Sequence, residues 1–365
     1  MAQSSSSCNC ALFVEHSPTR ERRRSAKCNE INVGFGWPRV GGRALGTVDP
    51  NVRTQVGSKS IPGGPGSAGT ERHLSQLCRM LSAVEQLAQS VKERRAILFV
   101  GAGVSMSVGL PSWQKLIEHM QNELGLDEDM IGAPEASYQA LAEYYRLKQG
   151  SLGPLRSWMD REWSVSPEKV QGSAIHKLIV SLDFPIIYTT NYDRNLEVAF
   201  EIHGRPFVKV ANAKDLPKAT GEVTQIIKFH GDFDDDKSLV LAETDYFERL
   251  SFDSPLDVKF RADALGRTIL FIGYSMSDMN IRLLLHRLWQ TWRRSGYEKN
   301  RPKSFIFMPQ PSIVQEAVLG RWGIDMLTED ADDPEDALLA FLNELKDKVG
   351  RPDGNRLARC EFGGG

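Results

Sequence analysis

From residue 80 onward the chain alternates short, largely apolar runs with longer segments of helical periodicity. Four apolar runs stand out: 96–100 (AILFV), 185–188 (PIIY), 225–229 (QIIKF) and 268–272 (TILFI). Runs this short, with little polar alternation, read as strands buried on both faces, the habit of parallel sheets. Shorter apolar stretches at 207–210, 239–241, 304–308 and 323–327 predict further strands. Helical spacing marks 80–95, 111–124, 135–149, 152–163, 173–182, 194–202, 244–250, 256–265, 278–292, 313–319 and 334–349. Strands of four to six residues alternating with helices argue for a doubly wound, mostly parallel α/β sheet. Four consecutive helices with no strand between them, rich in aromatics, predict a helical insertion at about 111–183, between the first and second core strands.

The two ends break this pattern. Residues 1–79 hold a serine run (Ser4–Ser7), a basic cluster (Arg22, Arg23, Arg24) and a glycine- and proline-rich stretch at 57–69, without sustained periodicity. Such a segment buries too little apolar surface to offset its ordering entropy, so disorder is expected. No apolar core follows the arginines, which argues against a secretory signal, and Glu15, Glu21 and Glu30 fit an organelle transit peptide poorly. At Met80 the text turns at once into an amphipathic helix. The expectation is therefore that 1–79 is a disordered or mis-called extension, that 80–349 is the folded domain, and that 350–365 is a flexible tail.

A net charge of −2 over 365 residues gives no electrostatic case for a nucleic-acid or membrane surface. No apolar stretch nears the roughly 20 residues of a membrane helix. The five cysteines (Cys8, Cys10, Cys28, Cys78, Cys360) form no C-x-x-C pair, and none lies between residues 80 and 350. That excludes a disulfide framework for the core, argues against a four-cysteine zinc site, and fits a reducing cytoplasm.

Each of the four main strands runs directly into a short polar motif, and open parallel sheets bind ligands at the carboxyl ends of their strands. After the first strand comes Gly101-Ala102-Gly103-Val104-Ser105. Small residues there let the backbone approach a phosphate while the following amides donate to it, although a tight strand-to-helix turn needs the same residues. Met106 stands where a dehydrogenase fingerprint has its third glycine, and no Gly-Lys-Ser/Thr follows as in a Walker A loop. After the second strand come Thr190, Asn191 and Asp193. A helix cap accounts for these as readily as a cleft does, and both hold if Asp193 caps while Asn191 faces the ligand. His230 ends the third run and precedes Gly231, which frees the chain to turn away. An imidazole there, with a pKa near working pH, suits a general base. The fourth run leads into Gly273-Tyr274-Ser275. Asp232, Asp234, Asp236 and Glu243 match a calcium-loop spacing, but the turn position that needs glycine is Lys237, and a solvated hairpin turn is the reading taken.

The order GAGVS, GLPSW, TTNYD, FHGD, GYS resembles the sirtuin-like superfamily, and most of all its zinc-less bacterial SIR2-like branch found in anti-phage defence. The resemblance spans roughly residues 81–327. It implies a Rossmann-like domain that binds NAD and breaks the nicotinamide–ribose bond. Carried over by motif, Gly101, Ala102, Gly103 and Ser105 would hold the phosphates and adjoining ribose. Asn191 would position the ribose or water, Asp193 would sit near nicotinamide, and His230 would be the base. Gly273 and Ser275 would line the adenosine end, joined by Asp278 unless that residue only caps the next helix. Protein deacetylases of the superfamily carry two C-x-x-C pairs and a Pro-Asp-Phe-Arg run. This chain has no cysteine in its body and reads Pro111-Ser112-Trp113-Gln114, so no zinc is expected and water is the simpler acceptor. The implied function is NAD hydrolysis to ADP-ribose and nicotinamide in an abortive-infection setting. Activation would come from homo-oligomerisation or from a separately encoded ATPase or Argonaute-like partner. An NAD-dependent deacylase and a non-catalytic NAD or ADP-ribose sensor are the competing readings.

Overall fold

A computed structural model describes residues 82–126 and 138–350, apart from Ser112, Ser277, Pro311 and Asp330. The expected N-terminal extension and C-terminal tail lie outside the described residues. A helix over 82–92 (α1) leads into β1 (Ala96–Val100), and α2 (Ala102–Met106) follows the glycine loop. The insertion then supplies α3 (Trp113–Leu124), α4 (Tyr138–Gln149), α5 (Gly153–Glu162), α6 (Pro167–Gly172) and α7 (Ala174–Ser181). The rest alternates: β2 (Ile186–Thr189), α8 (Asn195–Ile202), β3 (Phe207–Val210), β4 (Thr224–Lys228), α9 (Glu243–Glu248), α10 (Pro255–Gly266) and β5 (Thr268–Ile272). Then come α11 (Met279–Ser295), β6 (Ser304–Phe307), α12 (Ile313–Arg321), β7 (Ile324–Leu327) and α13 (Pro334–Gly350).

The seven strands form one sheet in the order β3-β4-β2-β1-β5-β6-β7, and every pairing is parallel. This is the doubly wound α/β sheet the alternation predicts. β1 is buried at every position because both faces are covered. Successive side chains point to opposite faces. Leu98, Val100, Ile187, Leu270 and Ile272 therefore pack with α1, α7, α8 and α13, while Ile97, Phe99, Tyr188, Ile269 and Phe271 pack with α10 and α11. A third apolar cluster lies in the insertion, around Leu116, Met120, Tyr145, Leu155, Met159 and Trp163, and also takes in Tyr192, Phe233, Leu239 and Leu241.

Two differences from the expected elements have physical reasons. Residues 239–241 form no strand. Leu239 and Leu241 are buried by packing in the insertion cluster rather than by pairing, with one backbone bond from Val240 N–H to the His230 carbonyl at 3.0 Å. The segment after 163 also holds an additional short helix, α6, opened by Pro167 and ended at Ser173, whose hydroxyl caps α7 by accepting from His176 N–H.

Register places the site. Val100 of β1 lies level with Thr189 of β2 and Ile272 of β5, and Thr189 lies level with Lys228 of β4. The residues that follow these four leave the sheet along one edge. The chain moves from β1 to one side for β2–β4 and returns on the other at β5, so β1/β5 is the topological switch point, where such sheets open a crevice.

Candidate active site

The crevice is a cavity of ≈ 640 Å³, a volume in the range of small-molecule sites. Its floor is two interlocked loops. Gly103 N–H donates to the Gly273 carbonyl at 2.9 Å, and Gly101 N–H to the Ile272 carbonyl at 2.9 Å. A Cβ on Gly101 would lie 2.3 Å from the Gly273 oxygen, and Gly273 itself has φ +60°. The glycines that suggested phosphate approach are thus required first by loop-against-loop packing. Ala102 and Gly103 line the cavity, and Gly101 does not.

Ser105 is buried, and its hydroxyl is used internally, unlike its expected place on the ligand. It donates to Asp193 Oδ2 at 2.8 Å and accepts from Asn191 Nδ2 at 3.0 Å. Asn191 Nδ2 also donates to the Gly101 carbonyl at 3.1 Å, and its backbone N–H to Thr189 Oγ1 at 3.0 Å. These bonds fix the amide orientation, with Nδ2 toward the glycine loop and Oδ1 without a hydrogen-bond partner among the described residues. Asp193 splits its carboxylate between Ser105 and the Asn195 N–H (3.0 Å), so it supports the start of α8 while lining the cavity. Behind it, the wholly buried Lys228 donates to the Asp193 carbonyl and lies 3.5 Å from Glu197, itself 1% exposed.

His230 lines the same cavity and is 3% exposed. Gly231, at φ +94°, turns the chain so tightly that a Cβ there would meet the Ser238 carbonyl at 2.2 Å. Asp278 faces it: Oδ2 lies 3.2 Å from His230 Nε2, outside hydrogen-bond geometry, while Oδ1 caps α11 by accepting from Asn280 and Ile281 N–H groups. Asp278 therefore caps the helix that follows and also borders the cavity, where it stands against His230. Burial pushes the imidazole down to about 4, against the upward pull of Asp278 and with a smaller downward push from Arg249. Desolvation wins, so the expectation of a pKa near working pH is corrected: the ring is neutral and a weaker base. Met276, between Gly273 and Asp278 in the chain and buried in the core, holds φ +57° without being glycine, a strained conformation.

The opposite wall is aromatic. Trp113 of α3 stacks on Tyr138 of α4 at 4.9 Å and meets Trp163 edge-on at 5.5 Å. The Tyr138 hydroxyl lies 3.2 Å from that of Tyr246, whose ring stands 5.5 Å from His230. Burial raises the pKa of both phenols, most of all Tyr246, so they remain neutral hydrogen-bonding groups. Gly273 and Ser275 border the cavity, as do Phe307 at the end of β6, Met308-Pro309-Gln310 after it, and Asp333-Pro334-Glu335 at the start of α13. The sequence reading missed these last two segments. The run after β6 carries the same signal as the other strand ends. The segment before α13 has no local signal beyond a helix start.

Among the described residues no group of three or more His, Cys, Asp or Glu is placed to hold a metal ion, and no helix is long and apolar enough to cross a membrane. Within the calcium-like spacing, Lys209 lies 3.2 Å from Asp232 and 2.5 Å from Asp234.

Residues 185–327 match the family model of the SIR2-like domain. The chain is 33% identical over 231 residues to the NAD(+) hydrolase ThsA of Bacillus cereus (strain MSX-D12), covering 62% of this chain and 45% of that protein. It is 33% identical over 207 residues to the NAD(+) hydrolase ThsA of Enterococcus faecium, covering 55% and 41%. A defense-associated sirtuin 2 of Bacillus subtilis is 27% identical over 255 residues, 66% of this chain and 23% of that protein. The chain thus spans less than half the length of these curated relatives.

Proposed function

Because the chain carries a SIR2-like domain, we propose that it is an NAD glycohydrolase, converting NAD and water to nicotinamide, ADP-ribose and a proton. The observation that carries this reading is the convergence of Asn191, His230 and the glycine loop on one cavity at the switch point of the sheet. The ThsA relatives, named as NAD(+) hydrolases, support it.

The chemistry suits these groups. The nicotinamide ring of NAD is cationic and leaves with the bonding electron pair as a neutral molecule, so no general acid is needed. The protein must hold the ribose, stabilise oxocarbenium-like charge and deliver water. Asn191 Oδ1, oriented by the bonds its Nδ2 makes, accepts from water or a ribose hydroxyl. His230, neutral in the resting site, takes the proton as the water oxygen bonds to the anomeric carbon. Asp278 at 3.2 Å then stabilises the imidazolium. Ala102 and Gly103 offer the phosphates close backbone approach, and Gly273, Ser275 and the segments beyond β6 enclose the adenosine half.

The proposal extends to an anti-phage role in the cytoplasm, with activity raised by self-association or by a separately encoded ATPase or Argonaute-like activator. The cysteine-free body fits a reducing compartment. Incubating the full chain with NAD, with and without an acetylated peptide, and following nicotinamide and ADP-ribose by chromatography tests the reading. Peptide-independent release that vanishes in Asn191→Ala and His230→Ala is the expected result. Peptide-dependent release points instead to a deacylase. Saturable NAD binding without release, in assembled as well as dispersed protein, points to a sensor.

A further inference from the structure

A lysine stands where the packing of the sheet calls for an apolar residue. Lys228 ends β4, lies level with Thr189 of β2, and shares a face with Ile226, which packs in the cluster of α1, α7, α8 and α13. It is wholly buried, and a buried ion pair often adds nothing to stability over apolar residues of like volume. The ammonium nevertheless has a definite target. It donates to the Asp193 carbonyl, in the loop 190–194 that joins β2 to α8. Glu197, in the first turn of α8, lies 3.5 Å from it and makes no hydrogen bond through either carboxylate oxygen among the described residues. Burial raises the pKa of Glu197 against the downward pull of Lys228, so the carboxylate depends on the ammonium. Glu197 balances the charge while the hydrogen bond goes to the loop.

The two ends of this bond each lie two residues from a group of the proposed reaction. His230 follows Lys228 after β4, and Asn191 precedes Asp193 in the loop. Asn191 and His230 come from different strand ends, and the bond from Lys228 to Asp193 ties those ends together. From Asp193 the connection runs on through the Ser105 hydroxyl to Asn191, by bonds of 2.8 and 3.0 Å. We propose that Lys228 is a positioning residue, whose bond to the Asp193 main chain sets Asn191 and His230 relative to one another, with Glu197 as its counter-ion. The inference rests on the NAD reading and deepens it. Neither Lys228 nor Glu197 borders the cavity, so the effect falls on reacting geometry rather than on binding.

Lys228→Met combined with Glu197→Leu separates positioning from stability, because it removes both charges, fills the space and should melt near the parent. In the full chain it should lower kcat for NAD by about tenfold or more, with KM within about threefold. A second readout needs no turnover. In protein carrying isotope-labelled asparagine, the Asn191 side-chain amide gives the resonance that Asn191→Ala lacks. Its hydrogen exchange should be about tenfold faster, or more, in the double variant. The side-chain amide of Asn280, which donates to the Tyr246 carbonyl at 3.2 Å, reports general loosening and should be unchanged. If the double variant does not melt cooperatively, Lys228→Leu with Glu197→Gln takes its place. Unchanged Asn191 exchange, equal acceleration at Asn191 and Asn280, or a parent-like kcat in the folded double variant overturns the proposal. The two readings fail separately. Absence of NAD turnover in the parent removes only the hydrolase, since the exchange comparison still decides the positioning.

Discussion

The carboxyl edge of the sheet and the helical insertion build opposite walls of one cavity by different means. At the sheet edge, polar groups are locked by short bonds between neighbouring strand ends: Asn191 to Gly101 and Ser105, Ser105 to Asp193, Gly103 to Gly273. In the insertion, the wall is apolar packing, with Trp113 on Tyr138 and against Trp163, anchored to the body through Tyr192 and Tyr246. Hydrogen bonds fix orientation to a few tenths of an ångström, which chemistry on an anomeric carbon demands. Ring packing tolerates more movement and suits recognition. The difference teaches that one cavity can combine a hydrogen-bonded wall of fixed orientation with an apolar wall held by packing.

The largest test of that division is to remove the proposed base. His230→Ala should lower kcat by about 10²–10⁴-fold while leaving KM within about threefold, because the aromatic wall is untouched. Steady-state kinetics measures both, and a parallel change of the two would break the comparison. Next comes the support beneath the sheet edge. Lys228→Met leaves Glu197 buried without its partner and should cost about 3–5 kcal/mol in denaturant unfolding. Replacing both by apolar residues, as in Lys228→Met with Glu197→Leu, should recover most of it. If the single variant is neutral, the buried pair does not anchor this edge.

The acid response is comparable in size. Burial holds both His230 and His176 at about 4, below the ordinary value of 6.5. Between about 6.5 and 4 the unfolded chain binds protons that the folded chain refuses, so stability falls as pH falls through this window. It is fully present above 6.5. Each residue contributes about 3 kcal/mol at full effect. Urea unfolding from pH 7.5 to 4.5 should show the decline, reduced in His176→Leu; a flat profile contradicts the buried-neutral state of both rings. The smallest expected effect is Ser105→Ala. It removes the hydroxyl joining Asn191 to Asp193 and should lower kcat about tenfold with KM little changed, because it orients the proposed reacting group Asn191 without lining the cavity. A change in KM alone would place Ser105 on the substrate instead.

Some of this was legible in the order of residues and some was not. Buried parallel strands declare themselves by uninterrupted apolar runs, and the residue after each run must emerge at the sheet edge, so Asn191, His230 and Gly273 were visible as a set. Their finer roles were not. Spacing does not say toward which side a hydroxyl turns, and Ser105 turned inward. Nor does it say how much water a histidine loses, which is why the imidazole lies near 4 rather than near working pH. Residues 239–241 have the composition of a strand, but burial against the insertion satisfied them without pairing.

By itself the sequence determined the sheet, its helical insertion and the row of polar strand ends, because these follow from local periodicity and chain connectivity. Only the tertiary structure decided that glycine loops interlock through Gly101 and Gly273 and that Asp278 faces His230 while capping α11. It alone brought Trp113, Tyr138, Trp163 and Tyr246, from four separate helical segments, into one wall. Contacts between residues distant in sequence are set by how whole elements pack, and no short-range pattern encodes that outcome.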